Sequence, residues 1–599
     1  GAAITVGLVS LWGLSTTLVG GAILSIGASL GLSLLSSVIF RPKQPKPEDV
    51  QSTVKGGTTA RVRHYGRVKT AGPLIFIESK SGFLYKVITT GTGRLDAIEE
   101  YWVDDNLVTL DGNGWVTSGY PYSAEDYSDL RIQTHLGLDT ETNFSALEDV
   151  FEEWDEDHRG DGVSTLFATH RPRPADRVAE AFPKLSETLY RIVARGSIVY
   201  DIGTATNIWS DNAANVIRDY MTHSDGMRLP SSLVTTTNAT AGWLVAYNRA
   251  TENISRISGG TEDRYRIWGS YSLNERPGDV LSRMLASCDG RIAPTPDGGV
   301  TLDIGAWAEP SVTLDADAIT GFTDLARGRD IMTSANVVRA TYLSPVHDYQ
   351  STDAQEWTDD ADISARGEIA ADTSFDMSPS HGQCRRLMKL TAYRANPRWV
   401  GTFQCNLRGL AAYGKRLVRI TYPLFSIDEV FEIMDYRFDI GDGGTLLGVT
   451  VQVQSMPSDA YAWNYLTEEG TPPLYETTEV DNTVPLPTSF TFGTTTIAVS
   501  GAIAVVGVMT FDEPPDGLEI EVQFKRTADT TWLNAAVDDT QTGAQTGVLS
   551  DGEEYESRTR HVSVTGRTGE WTDPPLTIIS FSFSLDISLA ANSQYLAAF

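Results

Sequence analysis

The chain has 599 residues, a formal net charge of −31 and 3 cysteines, with 41% hydrophobic, 21% charged and 9% aromatic residues. At roughly 100–200 residues per domain this predicts about three to five folded domains and excludes wholesale disorder. The 78 Asp+Glu against 47 Lys+Arg exclude a general surface that grips nucleic acid, and cysteines at 288, 384 and 405 make neither a disulfide framework nor a paired zinc knuckle.

From Gly1 to Phe40 there is no Asp, Glu, Lys, Arg or His. About 20 apolar residues span a bilayer as a helix, so this run is long enough to cross once with length to spare. Gly27 and Gly31 form a GxxxG pair, and Gly13, Gly20 and Gly27 recur every seven residues, a pattern that lets helix backbones approach closely. Trp12, Gly13, Gly20, Gly27, Gly31 and Phe40 therefore mark a candidate membrane or bundle-axis segment. A cleaved signal peptide fits poorly, because there is no basic start and the run is too long. A permanent anchor, a helix buried against copies of itself, and a segment stored in an assembly and released into a membrane all remain open. The run stops at the stiff basic linker Arg41-Pro42-Lys43-Gln44-Pro45-Lys46-Pro47.

Short strands are expected from Val62 to Ile88. Between Arg41 and Lys69 lie eight basic and two acidic residues, a local charge of about +6. A solvated basic face is the plain expectation, an acidic partner the alternative. Leu95–Leu110 reads as strand, turn, strand. Ser145–Asp157, with seven carboxylates, reads as a short acidic helix with a solvated face. Trp209, Ala213, Val216, Ile217, Tyr220 and Met221 form one helical stripe, capped by Ser210 or Asp211. Val280, Leu281, Met284, Leu285 and Cys288 form another, starting near Pro277 and stopping at Gly290, which makes Cys288 a core residue. Strands are expected at Val337–Tyr342, Trp399–Asn406, Val430–Arg437 and Leu446–Val453, with proline-marked linkers at 472–473 and 485–487.

At the C-terminal side Leu518, Ile520, Val522 and Phe524 alternate with polar residues, a half-buried strand. Leu549-x-x-Gly552-x-x-Tyr555-x-x-Arg558, followed by Trp571, resembles a fibronectin type III sandwich. Tyr555 then stands at its tyrosine corner, where a hydroxyl ties a loop to backbone; the usual early Trp is missing. Ile579 to Leu589 alternates apolar and polar residues, a strand that needs a partner to avoid aggregation.

The sequence is poor in catalytic patterns. The eight histidines (64, 135, 158, 170, 223, 347, 381, 561) stand alone, and there is no H-E-x-x-H or G-x-S-x-G. Ser52-x-x-Lys55 matches a serine–lysine hydrolase by letter but sits in a linker. No enzyme, cofactor or metal is expected.

The stretch from Arg61 through Phe76 and Leu84–Val87 to Ile98–Asp105 is similar to the front of siphophage tail hub proteins, the tip-attachment or host-specificity family of lambda-like phages. Trp209-Ser-Asp-Asn-Ala resembles that family's "W-S-x-N-P-A" helix, with Ala213 in place of proline. Val280–Leu302 resembles the next hub module. The order of these motifs carries the resemblance, over roughly residues 47–580. It implies a mainly β, multidomain hub: 1–46 a glycine-rich hydrophobic helix and linker; 47–200 a first β-barrel-like hub domain with an inserted α/β module; 201–310 an α+β module; 311–484 a second β-barrel-like hub domain; 485–580 the fibronectin-like sandwich; 581–599 a strand or tail. It also implies a homotrimer at the virion tail tip, or baseplate. Two β-domains per subunit would match six-fold tail rings, with the distal tail protein, the tape-measure protein and tail fibre or receptor-binding proteins as partners. DNA would pass through the lumen without specific binding, and residues 1–40 make the host membrane a further partner. Family members that bind the receptor themselves carry a long C-terminal fibre, so a separate fibre protein is expected to do so here. The alternatives are a membrane-anchored adhesin with a fibronectin-like binding module and a tail-associated cell-wall hydrolase.

Overall fold

The computed structural model describes residues 59–580 apart from 119–120, 125–126, 174–181, 183, 329–333, 475–483, 500–501 and 564–567. The Gly1–Phe40 run, with Trp12, Gly13, Gly20, Gly27, Gly31 and Phe40, and the 581–599 strand lie outside the described residues, as does the Ser52–Lys55 pair. Among the described residues no helix is long and apolar enough to cross a membrane. The architecture is mainly β, with α+β modules between sheets.

The first β-domain packs two sheets. One runs Leu130–Leu136, Val163–His170, Phe83–Thr92 and β1 (Leu74–Lys80), all antiparallel, with β1 at its open edge. The other runs Thr206–Trp209, Tyr190–Asp201, Leu95–Val103, Asn106–Leu110 and Val116–Ser118, and Arg67–Thr70 also pairs with Tyr190–Asp201. Their inner faces share one core, including Ile88, Leu130 and Leu166 from the first sheet and Leu95, Val103 and Ile192 from the second. The expected acidic helix shrinks to Ser145–Glu148 followed by turns. Phe144, Leu147, Phe151 and Trp154 pack onto Tyr85, Phe76 and Phe167.

The α+β module follows: α1 (Ala213–Thr222), α2 (Thr237–Ala250) and α3 (Pro277–Ala286). The α1 cap is Asn212, whose Oδ1 accepts from Ala214 N at 2.9 Å and Asn215 N at 3.4 Å. This replaces the expected Ser210 or Asp211. Trp209 ends a strand instead of opening the helix, because that strand pairs with Tyr190–Asp201 and the indole donates to Gly66 O at 3.2 Å. Helix α3 begins with proline at its first position and buries Val280, Leu281, Met284 and Leu285. Cys288 is buried, and burial pushes its thiol well above the ordinary range.

The second β-domain is one six-stranded sheet: Thr313–Leu314, Leu417–Tyr422, β3 (Ile427–Ile440), β4 (Leu446–Ser455), Trp399–Cys405 and β2 (Ile319–Arg327). Strand β2 forms its open edge. Phe403, Phe431, Val449, Val451 and Val453 fill its core face. The opposite face is polar, with Thr402 opposite Gln452 opposite Asp435, and Gln404 opposite Thr450 opposite Arg437. The intervening segment does not join this sheet. Val338, Ala340, Tyr342, Phe375, Cys384, Leu387 and Met388 pack into the core of the α+β module. That segment contains α4 (His381–Ala395), in which every residue from His381 to Ala392 is buried.

The C-terminal unit is a sandwich of two antiparallel sheets. The first runs Thr491–Val499, Ala502–Thr510, Gly543–Leu549 and Ala536–Val537; the second runs Leu533–Asn534, Leu518–Arg526, Glu554–Ser563 and Leu576–Ile579. Ile520, Val522 and Phe524 point inward. On the outer face the Arg558 guanidinium lies 4.1 Å from the Trp532 ring and 4.2 Å from the Trp571 ring, stacked between the two aromatics. Tyr555 is buried, and its hydroxyl accepts from the Ser550 backbone N–H at 2.9 Å, tying the preceding loop to the strand. Tyr555→Phe is expected to cost the sandwich about 1 kcal/mol, read as a lower midpoint of its thermal transition; an unchanged midpoint would show that the bond contributes nothing.

Candidate assembly surface and the struts behind it

Of the basic residues between Arg41 and Lys69, those up to Lys55 lie outside the described residues and Arg61 is exposed, while Arg63, Arg67 and Lys69 do not form a solvated face. Arg63 is buried against Asp219 at 3.1 Å and Asp225 at 3.7 Å, and the Tyr65 hydroxyl donates to the same Asp219 at 2.7 Å. Arg67 pairs with Glu99 and Glu100 on Leu95–Val103, across the intervening Tyr190–Asp201 strand. Lys69 pairs with Asp348, its ammonium 3.4 Å from the Trp102 ring centroid. Arg191 reaches the same Asp348 at 3.7 Å. The acidic partner is therefore this chain's own 345–350 loop, which pins the first β-domain to the central module. Burying cations without such partners would cost several kcal/mol each, so the charges of Arg63 and Lys69 are met inside the chain.

Helix α4 is the central strut. Its mean composition is polar, yet each cation it buries has a partner on a different element. Arg385 donates to Glu468 O and Gln355 O, both at 3.0 Å. Arg386 pairs with Glu262 at 2.9 Å, a carboxylate that also accepts from the Ser380 hydroxyl. Lys389 pairs with Glu468. Arg394 enters the densest cluster, where Glu432 on β3 accepts from Arg394 at 2.9 and 3.0 Å, Arg291 at 2.8 Å and Arg416 at 3.2 Å. Asp289 accepts from Arg394 at 2.8 Å and from Arg416. Burial by itself raises the Glu432 carboxyl, and the three guanidiniums outweigh it, holding the group ionised far below the usual carboxylate range. Three cations and two anions from four elements thus join the α+β module, α4 and the second β-domain at one point.

Outside these struts the two β-domains end in open edges carrying apolar side chains. On β1, Ile75 is 56% and Ile77 40% exposed. At the β2 edge, Phe322 is 37% exposed, its ring 5.2 Å from that of Phe425, and the neighbouring Leu424 is 70% exposed. An unpaired strand with outward apolar side chains is a template for another strand. β1 is such an edge; on the β2 edge Phe322 stands opposite Phe403 of the core face and rests on Tyr422 and Phe425, while the edge strand Thr206–Trp209 also carries an exposed Ile208.

Among the described residues no group of three or more His, Cys, Asp or Glu side chains is arranged to hold a metal ion. A cleft of about 660 Å³ between Pro294, Tyr413, Phe438, Ile440 and Leu446 has Lys415 as its one charged lining residue and no acid–base pair. His64, His170 and His381 are buried in the fold. His64 is buried with Nε2 donating to Thr90 O at 2.7 Å, and burial lowers its pKa to about 4. His170, stacked on Phe182 and bonded to the Tyr190 hydroxyl, is lowered to about 3 by burial and then by Lys86. His381 at the start of α4 is lowered to about 4 by burial and then by Arg385. Each takes up a proton more readily unfolded than folded, so the stability it contributes is complete above about pH 6.5 and declines as pH falls towards the folded value. Each histidine should contribute a loss of about 1.4 kcal/mol per pH unit in that window. Denaturant midpoints between about pH 7 and pH 4 test this, with His170→Gln flattening the dependence; a midpoint insensitive to pH would contradict it.

Of the residues singled out from sequence, Tyr555 is placed in the sandwich, remote in sequence from these struts, and the six of the N-terminal run lie outside the described residues. Sequence reasoning missed α4 and its ionic partners. The signal available was the N-cap Ser380, whose hydroxyl accepts from Gln383 N at 3.3 Å, followed by Arg385, Arg386, Lys389 and Arg394 in an acidic chain.

The solved structures to which the chain is similar include a virion chain and tail proteins. A chain from the virion of the native gene transfer agent particle covers 75% of this chain and 98% of its own length, at 13% identity and a TM-score of 0.45. The 43 kDa tail protein of prophage MuSo2 from Shewanella oneidensis covers 68% of this chain and 100% of its own, at 12% identity and a TM-score of 0.24. The tail protein from Neisseria meningitidis MC58 gives the same coverage, identity and TM-score. No family model matches the chain. No curated protein sequence matches it.

Proposed function

We propose that this chain is a structural, non-enzymatic tail hub of a long, non-contractile-tailed phage, a trimer at the tail tip that closes the tube and docks the distal tail protein, tape-measure protein and fibres. The observation that carries the reading is that two β-domains of one chain each end in an open edge strand, β1 and β2. An edge on one domain facing an edge on another domain of the next copy is a heterologous contact, which closes into a ring when the rotation allows. Three copies bring six β-domains to that ring. The ordered hub-like motifs from Arg61 to Leu302 support the same reading, and the C-terminal strand order with the Tyr555 bond supports a fibronectin type III-like sandwich as the outward module. Native mass spectrometry and cryo-EM of the purified chain should find a three-fold ring; a strict monomer under all assembly conditions would reject the hub.

The charge-free Gly1–Phe40 run supports a further role in this reading: three copies bundle through Gly13, Gly20, Gly27 and Gly31 and enter a host membrane during DNA ejection. Full-length protein should float with liposomes and protein lacking residues 1–40 should not. Equal flotation would sink the insertion step while leaving the ring intact.

A further inference from the structure

We propose that the open edge of β5 (Thr491–Val499) in the C-terminal sandwich is a docking site for residues Phe581–Leu589 of a second copy of this chain, which add there as an extra strand. Among the described residues β5 pairs on one side only, with Ala502–Thr510, in a continuous register without a bulge. The long edge strands of the described residues are β1, β2, Leu130–Leu136 and β5. β1 carries Glu78, Lys80 and a register shift, β2 carries Asp324, Arg327 and further shifts, and Leu130–Leu136 carries Arg131. β5 has no charge, no proline and no shift, and Thr491, Gly493, Thr494, Thr495, Thr496 and Ala498 are exposed. Charges, prolines and bulges are the usual guards of a strand edge, and β5 has none of them.

The Ile579–Leu589 alternation names the occupant. β6 (Leu576–Ile579) ends the other sheet of the sandwich; Ile578 packs against the core, while Ile579 is 52% exposed. In a strand running on from Ile579, the period of two puts Phe581, Phe583, Leu585, Ile587 and Leu589 on that exposed side, away from the core. Ser580 is fixed at the end of the sandwich, its N–H donating to Glu553 O at 3.0 Å and its carbonyl accepting from Gly552 N at 2.7 Å. The neighbouring strand starts at Glu554, so beyond Ser580 the described part of this sheet offers no backbone to pair with. Most of the chain's own β5 is out of reach. Leu549 pairs with Val505 and Val505 with Thr496, which sets Thr496 level with the 550–553 turn that holds Ser580. β5 and β6 both run towards that end, so Thr491–Thr496 lie behind the point where the chain leaves. Residues 581–589 contain no glycine, proline or asparagine with which to turn back. Extended at about 3.3 Å per residue, they reach about 30 Å past the sandwich, with Asp586 as their one charge. A second copy supplies what they lack, an uncharged edge of matching length whose outer backbone groups have no partner among the described residues.

Hydrogen exchange of the full chain, read by mass spectrometry on peptides covering 491–499, tests this. All arms carry Ile75→Lys with Ile77→Lys, so that ring formation through β1 does not contribute. The β5 amides should lose about tenfold in protection when residues 581–599 are removed, and again when the intact chain is diluted. Thr494→Lys with Thr496→Lys, at exposed positions, guards the edge and keeps the donor run; it should lose the same protection. Mixing this variant with the truncated protein should restore protection to the truncated copy alone, since one then has only the run and the other only the edge. Their peptides differ in mass, so each copy is read separately, and slow exchange in Glu554–Ser563 reports that the sandwich stays folded. β5 amides that exchange equally fast in the intact and truncated chains overturn the proposal. Protection insensitive to dilution and not restored by mixing also overturns it, by placing the run on its own chain.

Discussion

Replacing Glu432 with alanine is expected to destabilise the protein by about 3–5 kcal/mol, the largest effect of any single substitution at the α4 junction. Glu432 is fully buried and is the shared acceptor of Arg291, Arg394 and Arg416. Its removal leaves three guanidiniums facing Asp289 alone, with too few acceptors and an uncompensated excess of positive charge in a place water does not reach. The loss should appear as a lower thermal midpoint and as separation of one unfolding transition into two, because the same residue couples the second β-domain to the α+β module. Glu432→Gln keeps the side-chain shape and separates geometry from charge; it should fall between the wild type and alanine. Calorimetry showing one unchanged transition for Glu432→Ala would refute the strut.

The second large effect concerns assembly and not folding. Ile75→Lys combined with Ile77→Lys is expected to abolish ring formation while changing the stability of the single chain by no more than about 0.5 kcal/mol, the usual range for exposed positions. Both side chains are exposed on the open edge of their sheet, Ile75 more than Ile77, so the isolated chain depends little on them. Lysine on an edge strand is also the commonest guard against strand pairing. Leu424→Lys, at the lip of the other open edge, should have the same phenotype, since a heterologous ring uses both edges once per contact. Sedimentation or native mass spectrometry reads the outcome. Rings that form normally with both lips charged would place the subunit contact elsewhere on the surface.

What was legible in the sequence follows from where each element's stabilisation originates. Helix α3 and the Leu518–Arg526 strand announce themselves because their burial is one-sided, so apolar residues fall on a clean period. Helix α2 buries Ala239, Trp243, Ala246 and Ala250, a proper stripe made mostly of alanine, which carries little hydrophobic signal. Helix α4 is buried all round with arginine and lysine among its leucines, a pattern that reads as surface unless the partners are known. Those partners, Glu262, Asp289, Glu432 and Glu468, lie far away along the chain. The same blindness turned Arg63 and Lys69 into an apparent solvated face. Charge pairing across long sequence separations is invisible to local periodicity, and it is what builds the candidate assembly frame.

The ionic junction also dictates an order of events during synthesis. Asp289 and Arg291 leave the ribosome more than a hundred residues before Arg416 and Glu432. Until those arrive, the early members of the cluster have no full set of partners, and the α+β core lacks Cys384, Leu387 and Met388 from α4. The middle of the protein therefore closes late, when the strand carrying Glu432 docks, and not domain by domain from the N-terminus. A chain that waits this long with its open edges exposed is vulnerable to premature pairing between copies, so slow, non-local closure sets the concentration at which the nascent protein can be made without tangling.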